Sequence, residues 1–311
     1  MRVTSSTYSN ALIDDLNTLG LRQSRLQTQV STGQRIQSPA DDPVAMRRVM
    51  DLQAEAGSVA QYQSNIGRLQ GTATASYDAI QSIKSVTDRA GEITTLADSL
   101  KSPDQLKTYA TEVNSLIKQA VDAANSQNQG SYLFGGTKTD QPPFAMTTDA
   151  DGNVTAVTYQ GNASVSQVDV ASGTSVSGTI PGANDSGSGP RGLITDPRAG
   201  ADLFSHLISL AQNLRAGDTS AIASTDRPQV ANDENNVIYN LSQNSTTQAQ
   251  LGALSTSASD RSTTLDQSVS KETDADLAET LVRLNETQTA YQATLKSAGT
   301  VMNQTLLDFL H

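Results

Sequence analysis

A mainly α chain, a bundle of long helices with an N/C-terminal coiled coil and a small inserted β domain, is the fold class this sequence predicts. Three observations carry that reading. Only 36% of the 311 residues are hydrophobic and 4% aromatic, too few for thick globular cores but suited to helices touching along narrow stripes. Both ends repeat apolar residues at alternating steps of four and three, the mark of a left-handed coiled-coil seam. Between them, residues 141–190 switch to period two and hold no Lys or Arg, which points to strands.

The first seam runs through Leu12, Leu16, Leu19, Gln23, Leu26 and Val30 and breaks at Gly33. "SPADDP" (38–43) is a loop signal, and Asp42 before Pro43 reads as an N-cap followed by Pro at the first helical position. A long helix is predicted through Val59, Tyr62, Ile66, Leu69, Ile80, Ile83 and Ala97 to near Leu100. "SPDQ" (102–105) is a capping box opening the next helix, through Leu106, Val113, Ile117 and Ala124 to a stop at Gly130.

In "SYLFGGTKT" (131–139) a hairpin is expected, with Gly135–Gly136 as its two-residue turn. The β insertion follows over 141–190, punctuated by Asp151–Gly152, Gly161–Asn162 and Ser172–Gly173. Its acidic, turn-rich character predicts a solvent-facing appendage, and "GANDSGSGPRG" (182–192) a flexible exit. Helix returns at Asp202 through Leu203, Leu207, Leu210 and Leu214 to Gly217. Another runs from about Asp226 through Ile238, Leu241, Leu251 and Leu265. The last carries Leu277, Leu281, Leu284, Gln288, Tyr291, Leu295, Ala298, Met302, Thr305 and Phe309. The domains expected are therefore a terminal coiled coil (1–43 and 277–311), a helical rod (44–140 and 191–276) and the inserted outer β domain (141–190), together forming a bent rod.

Composition excludes several functions. A net charge of −11 argues against nucleic acid as a partner, because phosphate contact needs a basic face. Without cysteine there are no disulfides, iron–sulfur clusters or thiolate zinc sites. His206 lies on an amphipathic helix and His311 ends the chain, neither with a nucleophile or metal partner nearby in sequence. "DADGN" (149–153) lacks the closing Glu of a calcium loop and reads as a β-turn. No G-x-S-x-G elbow follows a strand, and "GSGPRG" lacks the Lys-Ser/Thr of a phosphate loop. The expectation is no catalytic residue, no cofactor and no metal site. No run approaches the ~18 apolar residues of a membrane span, and the start has no signal-peptide core. That fits a cytosolic protein, or one exported without a cleaved leader.

The terminal seams point to self-association. Residues 1–50 hold six Lys/Arg against four Asp/Glu, and residues 251–311 four against eight, so the ends are complementary in charge. Gln288, Ala298 and Thr305 weaken the seam. At roughly 1.5–3 kcal/mol per well-buried large side chain, one such helix pair is marginal against its ordering entropy, and further copies are needed to cover it. The expected assembly interface is Leu12, Leu16, Leu19, Leu26, Val30, Leu281, Leu284, Tyr291, Leu295, Met302, Leu306 and Phe309.

Three segments, "VSTGQRIQSPADDPVAM" (30–46), "YLFGGTKTDQPPF" (132–144) and "LNETQTAYQATLKSAGTVMNQTLLDFL" (284–310), resemble the flagellin superfamily of bacterial flagellar axial proteins, and within it the hook–filament junction family. The resemblance implies a structural, non-enzymatic subunit of the flagellum. It would form a ring between hook-associated protein 1 and the flagellin filament, its terminal helices ordering on assembly. It also implies type III export to the cell exterior, with a flagellar export chaperone holding Leu281, Leu284, Leu295, Leu306 and Leu310 beforehand. Two alternatives stay open: flagellin itself, and a secreted enzyme or adhesin acting through the β insertion.

Overall fold

The 3.5-residue repeat of the N-terminal region becomes continuous helix. In the computed structural model, which describes residues 5–309 with side chains over 10–300, α1 (Ser5–Thr32) ends before Gly33, and α2 (Pro43–Leu96) and α3 (Pro103–Ala124) follow. Four short antiparallel hairpins come next. They pair β1 (Gln127–Asn128) with β2 (Ser131–Tyr132), and β3 (Phe144–Thr148) with β4 (Val154–Tyr159). The other two pair β5 (Val168–Ala171) with β6 (Thr174–Val176), and β7 (Thr195–Asp196) with β8 (Ala201–Asp202). Helices α4 (Leu203–Ala216), α5 (Thr219–Ala221), a π turn (Ile222–Asp226), α6 (Arg227–Thr273) and α7 (Leu277–Phe309) complete the order.

Capping sets most boundaries. Asp42 Oδ1 accepts from the Val44 and Ala45 N–H groups at 3.2 and 3.0 Å. Ser102 and Gln105 make both bonds of a capping box, and the Asp202 carboxylate accepts from the Ser205 N–H to open α4. Two boundaries differ from expectation. Helix α2 stops at Leu96, leaving Leu100 on the surface. Helix α3 stops at Ala124 rather than Gly130, because the Asn125 amide pairs at both ends with the Phe144 backbone, donating to its carbonyl and accepting from its N–H at 2.9 Å each. Such side-chain bonds compete with helix continuation.

The expected hairpin also moves. The two-residue turn is Gln129–Gly130, both with positive φ, while Gly135–Gly136 lie in a loop closed by the Lys138 N–H on the Gly135 carbonyl. A turn needing left-handed backbone at both centres was hidden by the glutamine at its first position.

The chain divides into two compact units, residues 1–58 with 261–311, and residues 59–260. The core of the 59–260 unit gathers Ile80, Ile83 and Ile93 of α2, Val113 and Ile117 of α3, and Leu203, Leu207, Leu210 and Leu214 of α4. Buried alanines at 90, 110, 120 and 124 line the same helices, and Ala97 just beyond α2 joins them, which explains how a sequence poor in large apolar residues packs densely.

The β insertion lays one face on these helices. Phe144 and Val154 join the main core, while Val170 and Val176 bury against Ile66, Leu69, Ala73 and Leu251. Asn114 of α3 donates to the Gly152 carbonyl and accepts from the Val154 N–H, at 3.2 and 2.8 Å. Residues 141–190 are thus mainly surface, but their few buried side chains line the core, so the insertion is packed against the helices and not a free appendage. The exit loop is tied down as well. Buried Asn184 donates to the carbonyls of Ser188 and Pro190 at 2.7 and 2.6 Å. Burial alone would raise the Asp196 pKa, but a two-pronged ion pair from Arg198 together with the Gly192 and Arg198 backbone N–H groups outweighs it and lowers the value.

His206 of α4 meets Asp233 of α6, Nδ1 to Oδ2, at 2.8 Å. Burial disfavours the charged imidazole, but the hydrogen bond and charge of Asp233, with Asp202 and Asp226 beyond, outweigh it and raise the His206 pKa above 6.5. A raised histidine pKa stabilises the folded state fully below the unfolded value and loses that contribution as pH rises through the folded value. We therefore expect the melting temperature to fall more steeply from about pH 6 to about pH 9 in the unaltered chain than in His206→Gln. Circular dichroism melts would check this, and parallel slopes would count against the ion pair.

Candidate assembly interface

All the predicted interface residues with described side chains lie in the 1–58/261–311 unit, where α1 packs along α7. On α1 the seam positions are the protected ones. Leu26 is buried, and Leu12, Leu16, Leu19, Gln23 and Val30 are half-buried, whereas Ile13 and Leu21 point outward, Leu21 being 75% exposed.

The α7 side differs from the leucine seam read in the sequence. Leu284, Gln288, Tyr291 and Ala298 are half-buried, but Thr280 and Thr287 are the buried positions, with Thr294 half-buried. Their hydroxyls bond back to the carbonyls of Asp276, Arg283 and Ala290 at 2.6, 2.7 and 2.9 Å. Each threonine is therefore satisfied within its own helix. Leu281 and Leu295 stand 46% and 48% exposed, with Leu277 and Val282 similar. The signal missed was the seven-residue spacing of Thr280, Thr287 and Thr294. The side chains of Met302, Leu306 and Phe309, and the whole of Leu310 and His311, lie outside the described residues.

A clasp joins the turns at the base of the two helices. Gln34 and Asp274 form an antiparallel bridge, with the Arg35 N–H on the Thr273 carbonyl at 2.6 Å and the Ala275 N–H on the Gly33 carbonyl at 2.8 Å. The Arg35 guanidinium donates to the Glu272 carbonyl at 2.8 Å, and Arg48 grips the Glu272 carboxylate with two bonds of 3.0 and 2.8 Å, lowering its pKa. Arg25 pairs with Asp41, whose pKa is held down by the Gln37 and Ser38 backbone N–H groups. Here the basic N-terminal and acidic C-terminal regions meet, as their charges led us to expect.

Among the described residues no group of three His, Asp or Glu could hold a metal ion, and no helix is long and apolar enough to cross a membrane. The 149–153 segment is a turn in which the Asp149 carboxylate accepts from the Asp151 and Asn153 N–H groups at 3.0 and 2.8 Å.

Comparison with known proteins agrees with this architecture. Residues 6–139 match the family described as the bacterial flagellin N-terminal helical region. The chain is 26% identical to flagellar hook-associated protein 3 of Escherichia coli K12, over 93% of this chain and 95% of that protein. A solved Vibrio parahaemolyticus structure described as a flagellar hook-associated protein superposes with a TM-score of 0.63 at 20% identity, covering 75% of this chain and all of its own. Bacillus cereus FlgL superposes at 0.55 and 19% identity, covering 71% and 99%. These two structures share the fold. With a flagellin-type helical region over residues 6–139, a long-helix fold shared with two solved structures and similarity to hook-associated protein 3 along nearly its whole length, the chain is a structural, non-enzymatic component of the bacterial flagellum.

Proposed function

We propose that the chain is the subunit joining the hook, through hook-associated protein 1, to the flagellin filament. It self-associates into a short ring through its terminal coiled coil, residues 1–43 and 277–311, with 44–140 and 191–276 as the rod and 141–190 as the outer β domain. It acts outside the cell, exported by the flagellar type III apparatus. Before assembly an export chaperone covers Leu281, Leu284, Leu295, Leu306 and Leu310.

One observation carries this reading. Helix α7 turns its threonines toward α1 and leaves Leu277, Leu281, Val282 and Leu295 outside. A helix pair that was complete alone would bury its leucines first, since each is worth roughly 1.5–3 kcal/mol of transfer free energy. Leaving them out suits a surface that other copies cover. Similarity to hook-associated protein 3 over 93% of the chain favours the junction role over the flagellin alternative. Electron microscopy of the purified chain under polymerising conditions separates the two. A junction subunit forms short rings at most, or adds only to hook tips carrying hook-associated protein 1. Long filaments from this chain alone would make it flagellin.

A further inference from the structure

A small cleft on the 59–260 unit has chemistry that assembly does not use. It encloses about 190 Å³ between the 177–181 loop, Pro190 and Arg191, and the flank of α6, and no Asp or Glu lines it. Asn240 and Asn244, one helical turn apart, form part of its wall and are each only 3% exposed. One end of each amide is committed to the protein. Asn240 Nδ2 donates to the Asn236 carbonyl at 3.0 Å and more weakly to the Gly192 carbonyl at 3.4 Å. Asn244 Oδ1 accepts from Gln248 Nε2 at 2.7 Å.

The opposite ends, an acceptor on Asn240 and a donor on Asn244, have no hydrogen-bond partner among the described residues. Neither atom is among the buried unpaired polar atoms of the described residues, so both open onto the cleft, where water or a ligand can meet them. At the mouth, the Arg191 guanidinium lies over the Tyr239 ring, 4.2 Å from its centroid. The flat face of the cation is thereby used, while its edge has no carboxylate or carbonyl partner among the described residues. An edge of this kind receives a carboxylate in plane.

We propose that this cleft binds an acidic sugar, its carboxylate on the Arg191 edge and its ring hydroxyls on Asn240 Oδ1 and Asn244 Nδ2. Hydroxyls both donate and accept, so one ring satisfies an acceptor and a donor a helical turn apart. Ile180 and Pro181 supply an apolar wall for the ring's C–H face. An amino acid or other amine is disfavoured, because its ammonium would find Arg191 and no acid. A simple anion would leave the two amides unused.

The test is titration of the full chain with D-glucuronate, followed by saturation-transfer NMR, with D-glucose and acetate as comparisons. Saturable glucuronate binding is expected, weaker for glucose and not displaced by acetate. Arg191→Gln, at the rim, should weaken glucuronate at least about tenfold, the scale of one charge-assisted hydrogen bond. Asn244→Ala should do the same with its helical circular dichroism retained. Absence of saturable binding, unchanged affinity in Arg191→Gln, or displacement by acetate as effective as by glucuronate itself would each overturn the assignment.

Discussion

A chain carrying Leu281→Asp and Leu295→Asp is expected to melt like the unaltered protein across residues 59–260 yet to fail to support swimming. Both leucines are about half exposed and belong to the other unit, so a carboxylate there costs the isolated chain little. In an assembled ring the same carboxylates would be buried without a cation. An unpaired charge of that kind costs several kcal/mol, and in a ring the penalty recurs at every subunit contact. Amide hydrogen exchange on the free chain supplies the second arm. Exchange over 281–300 should be fast compared with the core helices of 59–260, because only a thin face of α7 is covered. Slow exchange there, or normal motility of the double variant with normal export, would refute assembly through this surface. Culture-supernatant levels separate an export defect from an assembly defect.

Gly136→Ala should strongly destabilise the 59–260 unit. Gly136 has φ +70°, and a β-carbon there would collide with the Asn162 carbonyl and side-chain oxygen. Neither obstacle is free to move. The Asn162 side chain accepts from the Thr137 N–H at 3.1 Å, and the Tyr159 hydroxyl lies 2.9 Å from the carbonyls of both Phe134 and Asn162 while accepting from the Gly182 N–H at 3.3 Å. Left-handed strain of about 1–2 kcal/mol plus displacement of this braced loop gives a loss of at least about 3 kcal/mol. For a unit of this size that is roughly 6–12 °C in melting temperature. Gly91→Ala, in α2 with open space where its β-carbon would go, should shift the melt upward by the helix-propensity gain of about 0.5–1 kcal/mol. A Gly136→Ala chain melting within a degree or two of the unaltered protein would show that the loop yields.

The long helices were legible because their signals are local: the Asp42–Pro43 opening, the Ser102–Gln105 capping box and the leucines of α4 each specify structure within a few residues. The errors arose where distant partners decide. Asn125 ends α3 through the Phe144 backbone, and nothing near Asn125 announces Phe144. The 182–192 loop reads as a linker by composition, yet Asn184 and the Asp196–Arg198 pair fold it onto itself. On α7, Leu284, Gln288, Tyr291 and Ala298 of the apolar repeat are half-buried and Leu281 and Leu295 exposed, while the buried positions are Thr280 and Thr287. The threonine repeat went unread because transfer free energy ranks leucine above threonine, and a seam is sought first among the larger side chains.

The bridge between Gln34 and Asp274 has a rotational meaning. Successive residues of an α-helix are turned by about 100°, so the length of chain between the bridge and the first turn of α7 sets the helix's phase. Three hydrogen-bonded positions, 273 to 275, hold that phase against Gly33 and Arg35. One residue inserted at 275–276 would roll α7 by about a quarter turn, carrying Thr280 and Thr287 away from α1 and altering which leucines face outward. The clasp thus acts as an angular index: it selects, out of all the faces α7 could show, the one on which Leu281 and Leu295 look away from the chain's own partner helix.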